Sequence, residues 1–218
     1  MKKQIYGLLM IILIMMMTAC SSPEDNIYQI IEETAVKEVD FEKQQEPMKE
    51  LEIKEKELFD QIMELGMKEL DEIQQLADDA LANLDEREKL LTKEQEAINQ
   101  SKEEFEKAST EISKIKDDKL KNEALELDKL MKTRFNAYES LNEAYLNGLA
   151  EDRKIYDMVK KEDLKLEDLE KQIEASNKAY EAVLISNEEF NEATEKFNAA
   201  KLDFYKAAGF KISTSNEE

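Results

Sequence analysis

Beyond Pro47 the chain contains no further proline, and Gly7, Gly66, Gly148 and Gly209 are its four glycines. Tight reversals depend on such residues, so a sheet or barrel with its many turns is strongly disfavoured. Charged residues make up 38% and hydrophobic residues 41% of the sequence. That mixture, rich in Glu, Lys, Leu and Ala, belongs to long helices and coiled coils. The expected fold class is all-α: an elongated antiparallel helical bundle or coiled coil of about four helices joined by short connections.

Apolar spacing divides the chain. A first helix is expected over 23–44, with Ser22 as N-cap, Pro23 opening it and Glu24 and Asp25 in its first turn. Ile27, Ile30, Ile31, Thr34, Ala35, Glu38 and Phe41 share one face. Ser21 to Asn26 reads as a short polar tether, and Pro47 is expected to end or kink the helix. A second helix over 48–116 carries Leu58, Ile62, Leu65, Ile73, Leu76, Ala80, Leu84, Leu91, Ile98, Phe105, Ala108, Ile112 and Ile115. Its period reads closer to 3.6 than to a heptad, and Gly66 is expected to permit a close crossing.

A third helix over 118–160, capped by Asp117 or Asp118, sets Leu120, Ala124, Leu127, Met131, Tyr138, Leu141, Tyr145, Ile155 and Val159 on a heptad grid. Phe135, Leu149 and Tyr156 widen the stripe, and a local kink is expected at Gly148 and Asp152. After the polar break Lys160–Asp163, a fourth helix over 164–208 repeats without a fault through Leu166, Leu169, Ile173, Ser176, Tyr180, Val183, Asn187, Phe190, Thr194, Phe197, Lys201, Phe204 and Ala208. Asn187 and Lys201 are insertions of the kind that fix register. Gly209 reads as the helix stop with Phe210 folding back, and 210–218 as a polar tail. Residues 20–218 are thus read as a single helical domain; the alternative is helices that become stable only on dimerisation.

The amino terminus is different in kind. Lys2 and Lys3 precede an apolar run from Ile5 to Met17, and Thr18, Ala19 and Cys20 close it. This is the layout of a secretory signal over 1–19, and the run is too short for an ordinary membrane-spanning helix. Met17-Thr18-Ala19-Cys20 resembles the lipobox of bacterial lipoproteins, with Met17 where Leu is commonest. That resemblance implies that Met17, Thr18 and Ala19 are read by a signal peptidase, and that the Cys20 thiol carries diacylglycerol and becomes the mature amino-terminal residue. Two acyl chains suffice for stable anchoring. The plainer alternative is cleavage after Ala19 with Cys20 left as a free thiol. Cys20 is the only cysteine, so no intramolecular disulfide forms.

The formal charge is −21, and removing Lys2 and Lys3 leaves 29 basic against 52 acidic residues, or −23. Nucleic acid and anionic lipid surfaces would repel such a chain. No histidine is present, which excludes imidazole metal sites and histidine-based triads. With its one cysteine at the cleavage point, thiolate catalysis and zinc clusters are not expected. No phosphate-binding Gly-rich loop, nucleophile elbow or calcium loop occurs, and nothing marks one carboxylate pair among so many. No cofactor, metal or catalytic residue is expected. Tyr138, Tyr145, Tyr156, Tyr180, Phe135, Phe190, Phe197 and Phe204 recur at helical spacing, as core packing or as a sugar-stacking groove.

The chain resembles the YkyA-type cell-wall-binding lipoproteins of Gram-positive bacteria. The residues that carry the likeness are the lipobox, Leu65-Gly66-Met67-Lys68-Glu69-Leu70, the stretch Lys161 to Leu169, and Phe197-Asn198-Ala199-Ala200-Lys201. The resemblance implies a surface lipoprotein that touches peptidoglycan, and Cys20 is the one functional position it transfers. The expected role is a non-catalytic, lipid-anchored helical protein on the outer face of the cytoplasmic membrane, acting as wall contact, spacer or scaffold. The alternative is a partner-binding subunit of an envelope protein complex.

Overall fold

The computed structural model describes residues 21–65 and 69–211. Six α-helices lie among them: α1 (Pro23–Lys37), α2 (Val39–Glu64), α3 (Leu70–Phe105), α4 (Ala108–Lys114), α5 (Asp118–Val159) and α6 (Leu166–Ala207). The protein is the all-α helical bundle that its sequence leads one to expect, and no strand occurs among the described residues. Met17, Thr18, Ala19, Cys20, Gly66 and residues 212–218 of the tail lie outside the described residues.

Local chemistry sets several helix ends. Ser22 and Asp25 form a reciprocal capping box: Ser22 Oγ accepts from the Asp25 N–H, and the Ser22 N–H donates to Asp25 Oδ2 at 3.0 Å. Asp117 caps α5 by accepting from the Leu120 N–H at 2.8 Å. At the end of α6, Gly209 takes φ +83°. The Phe210 N–H then bonds Tyr205 O and the Gly209 N–H bonds Lys206 O, both bonds of a Schellman motif. The Phe210 ring folds back to 5.8 Å from Tyr205, as expected.

Other boundaries differ from those expected. The first helix breaks not at Pro47 but at Glu38, where the backbone N–H turns back to Ala35 O. Helix α2 then runs unbroken through Pro47. The exposed ring lies on the solvent side while Met48, Leu58 and Ile62, which follow it in the same helix, are buried, and that packing outweighs the missing donor. The stretch expected as one helix over 48–116 ends at Glu64, resumes at Leu70 and is interrupted again at Glu106 and Lys107. There the Lys107 and Ser109 N–H groups bond three residues back, a tightened 3₁₀ turn. Helix α5 shows no break at Gly148 or Asp152, and α6 begins at Leu166, whose side chain is exposed.

The expected 3.6-residue period of the second stretch is also corrected. Ile73, Ala77, Ala80, Leu84, Arg87, Leu91, Glu94, Ile98, Ser101, Phe105, Ala108, Ile112 and Ile115 are all buried, at steps that alternate four and three. That is a heptad, hidden in the sequence because Arg87, Glu94 and Ser101 occupy core steps.

Two compact units form. Unit 1 takes residues up to Glu42, Ala97–Phe135 and the chain from Asn191; unit 2 takes Lys43–Glu96 and Asn136–Phe190. In unit 1, α1 packs on α4, and Phe105 meets Phe135 and Phe197 edge-on at 6.4 and 6.1 Å. In unit 2, one core cluster joins Met48, Leu58, Ile62, Ile73, Ala77, Ala80, Leu84 and Leu91 to Tyr145, Leu149, Ile155, Tyr156, Val159, Leu169 and Val183. Hydrogen bonds Gln45–Glu94 and Asn83–Leu51 set α2 antiparallel to α3, and Gln172–Glu151 and Ser176–Asp152 set α6 antiparallel to α5.

Replacing Pro47 by Ala restores a donor and removes the ring from a helix interior. Pro47→Ala is expected to stabilise the protein by about 1–3 kcal/mol, measured as a shift in urea midpoint followed by helical circular dichroism.

Candidate functional site

The residue expected to carry the lipid, Cys20, and its recognition residues Met17, Thr18 and Ala19 lie just ahead of the described chain. The tether expected over Ser21 to Asn26 is shorter than that. Helix α1 begins at Pro23, so Ser21 alone stands between Cys20 and the N-cap Ser22.

Downstream, the polar chemistry collects in two clusters that pattern reading missed. In unit 1, Arg134 of α5 forks onto Glu38, Nη1 to Oε1 at 2.7 Å and Nη2 to Oε2 at 2.6 Å, and its Nε donates to Thr194 Oγ1 at 3.0 Å. Ser101 Oγ adds a 2.6 Å bond to Glu38 Oε1. Thus four helical segments meet on one carboxylate–guanidinium pair. Nearby, Tyr205 donates to Glu32 at 3.0 Å, and burial holds Lys201 below its ordinary value.

In unit 2 the centre is Arg87, 2% exposed at a core step of α3. Its Nη2 donates to the Tyr145 and Tyr180 hydroxyls at 2.7 and 3.1 Å, and Tyr145 also receives Nε at 3.2 Å. The guanidinium lies 5.1 Å from the Tyr145 ring centre, and Glu52 and Glu55 stand 3.9 and 3.8 Å from its nitrogens. Further hydroxyl–carboxylate bonds extend the cluster. Tyr145 donates to Glu52, Tyr156 to Glu55, and Tyr180 to Asp152 Oδ2, whose other oxygen accepts from Ser176. Burial raises Glu55 and Asp152 above the usual carboxylate range, against the hydrogen bonds that favour their charged forms. Gly148 makes room for this cluster, since a Cβ there would lie 3.1 Å from the Tyr180 ring.

The aromatic residues are mainly core. Tyr138, Tyr145, Tyr156, Phe135, Phe190, Phe197 and Phe204 are buried, which leaves them no stacking face for a sugar. Among the described residues, no group of metal-binding side chains converges and no helix is long and apolar enough to cross a membrane. Shallow grooves occur on both units. One in unit 2, about 300 Å³, is lined by Glu88, Leu146, Leu149, Ala150, Arg153, Lys154 and Asp157. One in unit 1, about 290 Å³, is lined by Asn26, Gln29, Ile30, Glu33, Glu104, Lys107 and Glu111.

The clusters give a clear contrast. Arg87→Ala strands buried acids and hydroxyls and is expected to cost about 3–5 kcal/mol. Arg153, 37% exposed and paired with Asp85 and Glu88, should cost less than about 1 kcal/mol when changed to Ala. Denaturant unfolding of both variants checks this.

Comparison with known proteins agrees with this architecture. The YkyA family model, described as "Putative cell-wall binding lipoprotein", matches residues 22–207. The "Uncharacterized lipoprotein YkyA" of Bacillus subtilis (strain 168) is 36% identical over 203 residues, which span 92% of this chain and 91% of that one. A 1.6 Å crystal structure of a "Conserved Protein of Unknown Function" from Staphylococcus aureus superposes with a TM-score of 0.60 at 13% identity, covering 86% of this chain and 97% of that one. At that identity it speaks for the helical fold alone. With most of its length matched by the family model and by the Bacillus relative, the chain belongs to the YkyA family of lipoproteins.

Proposed function

We propose that the protein is a non-catalytic lipoprotein, held on the outer face of the cytoplasmic membrane by diacylglycerol on Cys20, that presents an acidic helical body to the cell wall as contact or spacer. The observation that carries the reading is the continuity between anchor and body. The lipobox Met17-Thr18-Ala19-Cys20 runs, through Ser21 alone, into the capped start of α1. Family membership supports the lipoprotein part, and the family description supports the wall. The net charge of −23 without Lys2 and Lys3 disfavours polyanionic partners. Contact would then be with glycan strands or their peptides, and acyl chains supply the membrane affinity that a basic patch would otherwise provide.

A second reading, a partner-binding subunit of an envelope complex, draws on the unit 2 groove, whose lining combines apolar side chains with charges of both signs. Crosslinking in cells separates the two, because one dominant protein adduct through that groove favours the subunit.

Mass spectrometry of the native protein is expected to find a diacylglycerol-modified Cys20 as its first residue. Cys20→Ala should abolish lipid labelling and membrane partitioning; unchanged partitioning would defeat the anchor. The purified protein should be retained on peptidoglycan above a charge-matched helical control and give no clearing in a wall zymogram. Equal retention removes the wall contact, and clearing removes the non-catalytic role.

A further inference from the structure

Glu94 occupies a core step of the α3 heptad, between Leu91 and Ile98, and is 5% exposed. From α2, the Gln45 Nε2 donates to its Oε1 at 2.8 Å. The ionisable groups that act on it are Glu52 of α2 and Tyr138 of α5, and neither is a cation. From α6, the Phe190 ring meets Tyr138 at 5.7 Å. On α3 itself the cation one heptad away, Arg87, is engaged by Tyr145, Tyr180, Glu52 and Glu55. Among the described residues of unit 2, the buried charged side chains are Arg87, Glu94 and Asp152. An ionised Glu94 would therefore sit in the core with a carboxylate for a neighbour and no counter-charge of its own.

We propose that Glu94 makes unit 2 a proton-dependent bundle, packed while its carboxyl is protonated and loosened when an alkaline medium removes the proton. Burial, reinforced by Glu52, pushes the carboxyl up to about 8. The chain has no histidine, the side chain that ordinarily governs responses between pH 5 and 8. The buried Glu94 carboxyl is raised to the edge of that range. The direction follows from proton counts. Above its unfolded value of 4.5 the unfolded chain releases the Glu94 proton, whereas the folded chain keeps it until about pH 8. Stability contributed by this group is full below 4.5, falls as pH rises to about 8, and then levels off. Glu55 and Asp152, also raised by burial, act in the same direction.

The test is urea unfolding of the full chain, followed by circular dichroism, from pH 6 to pH 9. For the wild-type protein the unfolding equilibrium constant is expected to rise about 10- to 100-fold between pH 6 and pH 8, the limit for one proton being tenfold per unit. Glu94→Gln keeps the amide partner but cannot ionise. It should cut that rise to about threefold or less and be more stable than wild type at pH 9. Glu94→Leu, which fills the core step with an apolar side chain, should be equally flat. A wild-type profile with no rise, or either variant keeping the wild-type slope, overturns the proposal.

Discussion

Helices α3, α5 and α6 carry polar side chains at steps that their own period turns inward, and a buried polar group without a partner is costly. The bundle answers with partners from other helices. Arg134 of α5 finds Glu38 between α1 and α2, with Ser101 of α3 and Thr194 of α6 completing the set. Arg87 of α3 finds hydroxyls on α5 and α6 and carboxylates on α2. An apolar heptad would tolerate sliding by one repeat, since Leu replaces Leu. A slip here would strand a guanidinium. Register in each unit thus rests on a few directional pairs, and bulk burial supplies the cohesion around them.

This explains what could be read in the sequence. The helical class, the N-cap at Ser22, the end of α5 and the Gly209 stop were legible, because each depends on residues close together in the chain. The α6 stripe was legible too, and of its core steps Leu166 alone is exposed. The heptad of α3 is masked because Arg87, Glu94 and Ser101 occupy core steps where apolar residues are expected. Carrying the alternation of four and three through those gaps would have found them, and the same step at 134 and 152 would have found Arg134 and Asp152 in α5. Pro47 and Gly148 illustrate the other failure. Local propensity marks both as breaks, but α2 runs on through Pro47 with Met48 buried beside it, and the Tyr180 ring fills the space that Gly148 leaves. Neither compensation is visible without the partner helix.

The polar clusters also divide structure from function. They look like sites, with short hydrogen bonds and displaced acidities, yet their groups are turned on one another and mostly screened from solvent. What faces outward is acidic helix surface with many ion pairs three or four residues apart, each worth little on its own. Such a surface suits a body that keeps its distance from polyanions more than one that grips a small ligand.

The capping box at Ser22 bears on how an acylated form of the protein would leave a membrane. A protease that sheds surface proteins must draw several residues into an extended conformation, and exposed non-helical segments are where nicking concentrates. If Cys20 is the acylated residue, Ser21 is the whole of the slack before a closed first turn. Cutting there would first require α1 to unwind from its neighbours, so release into the medium would depend on unfolding as much as on recognition of a cleavage sequence.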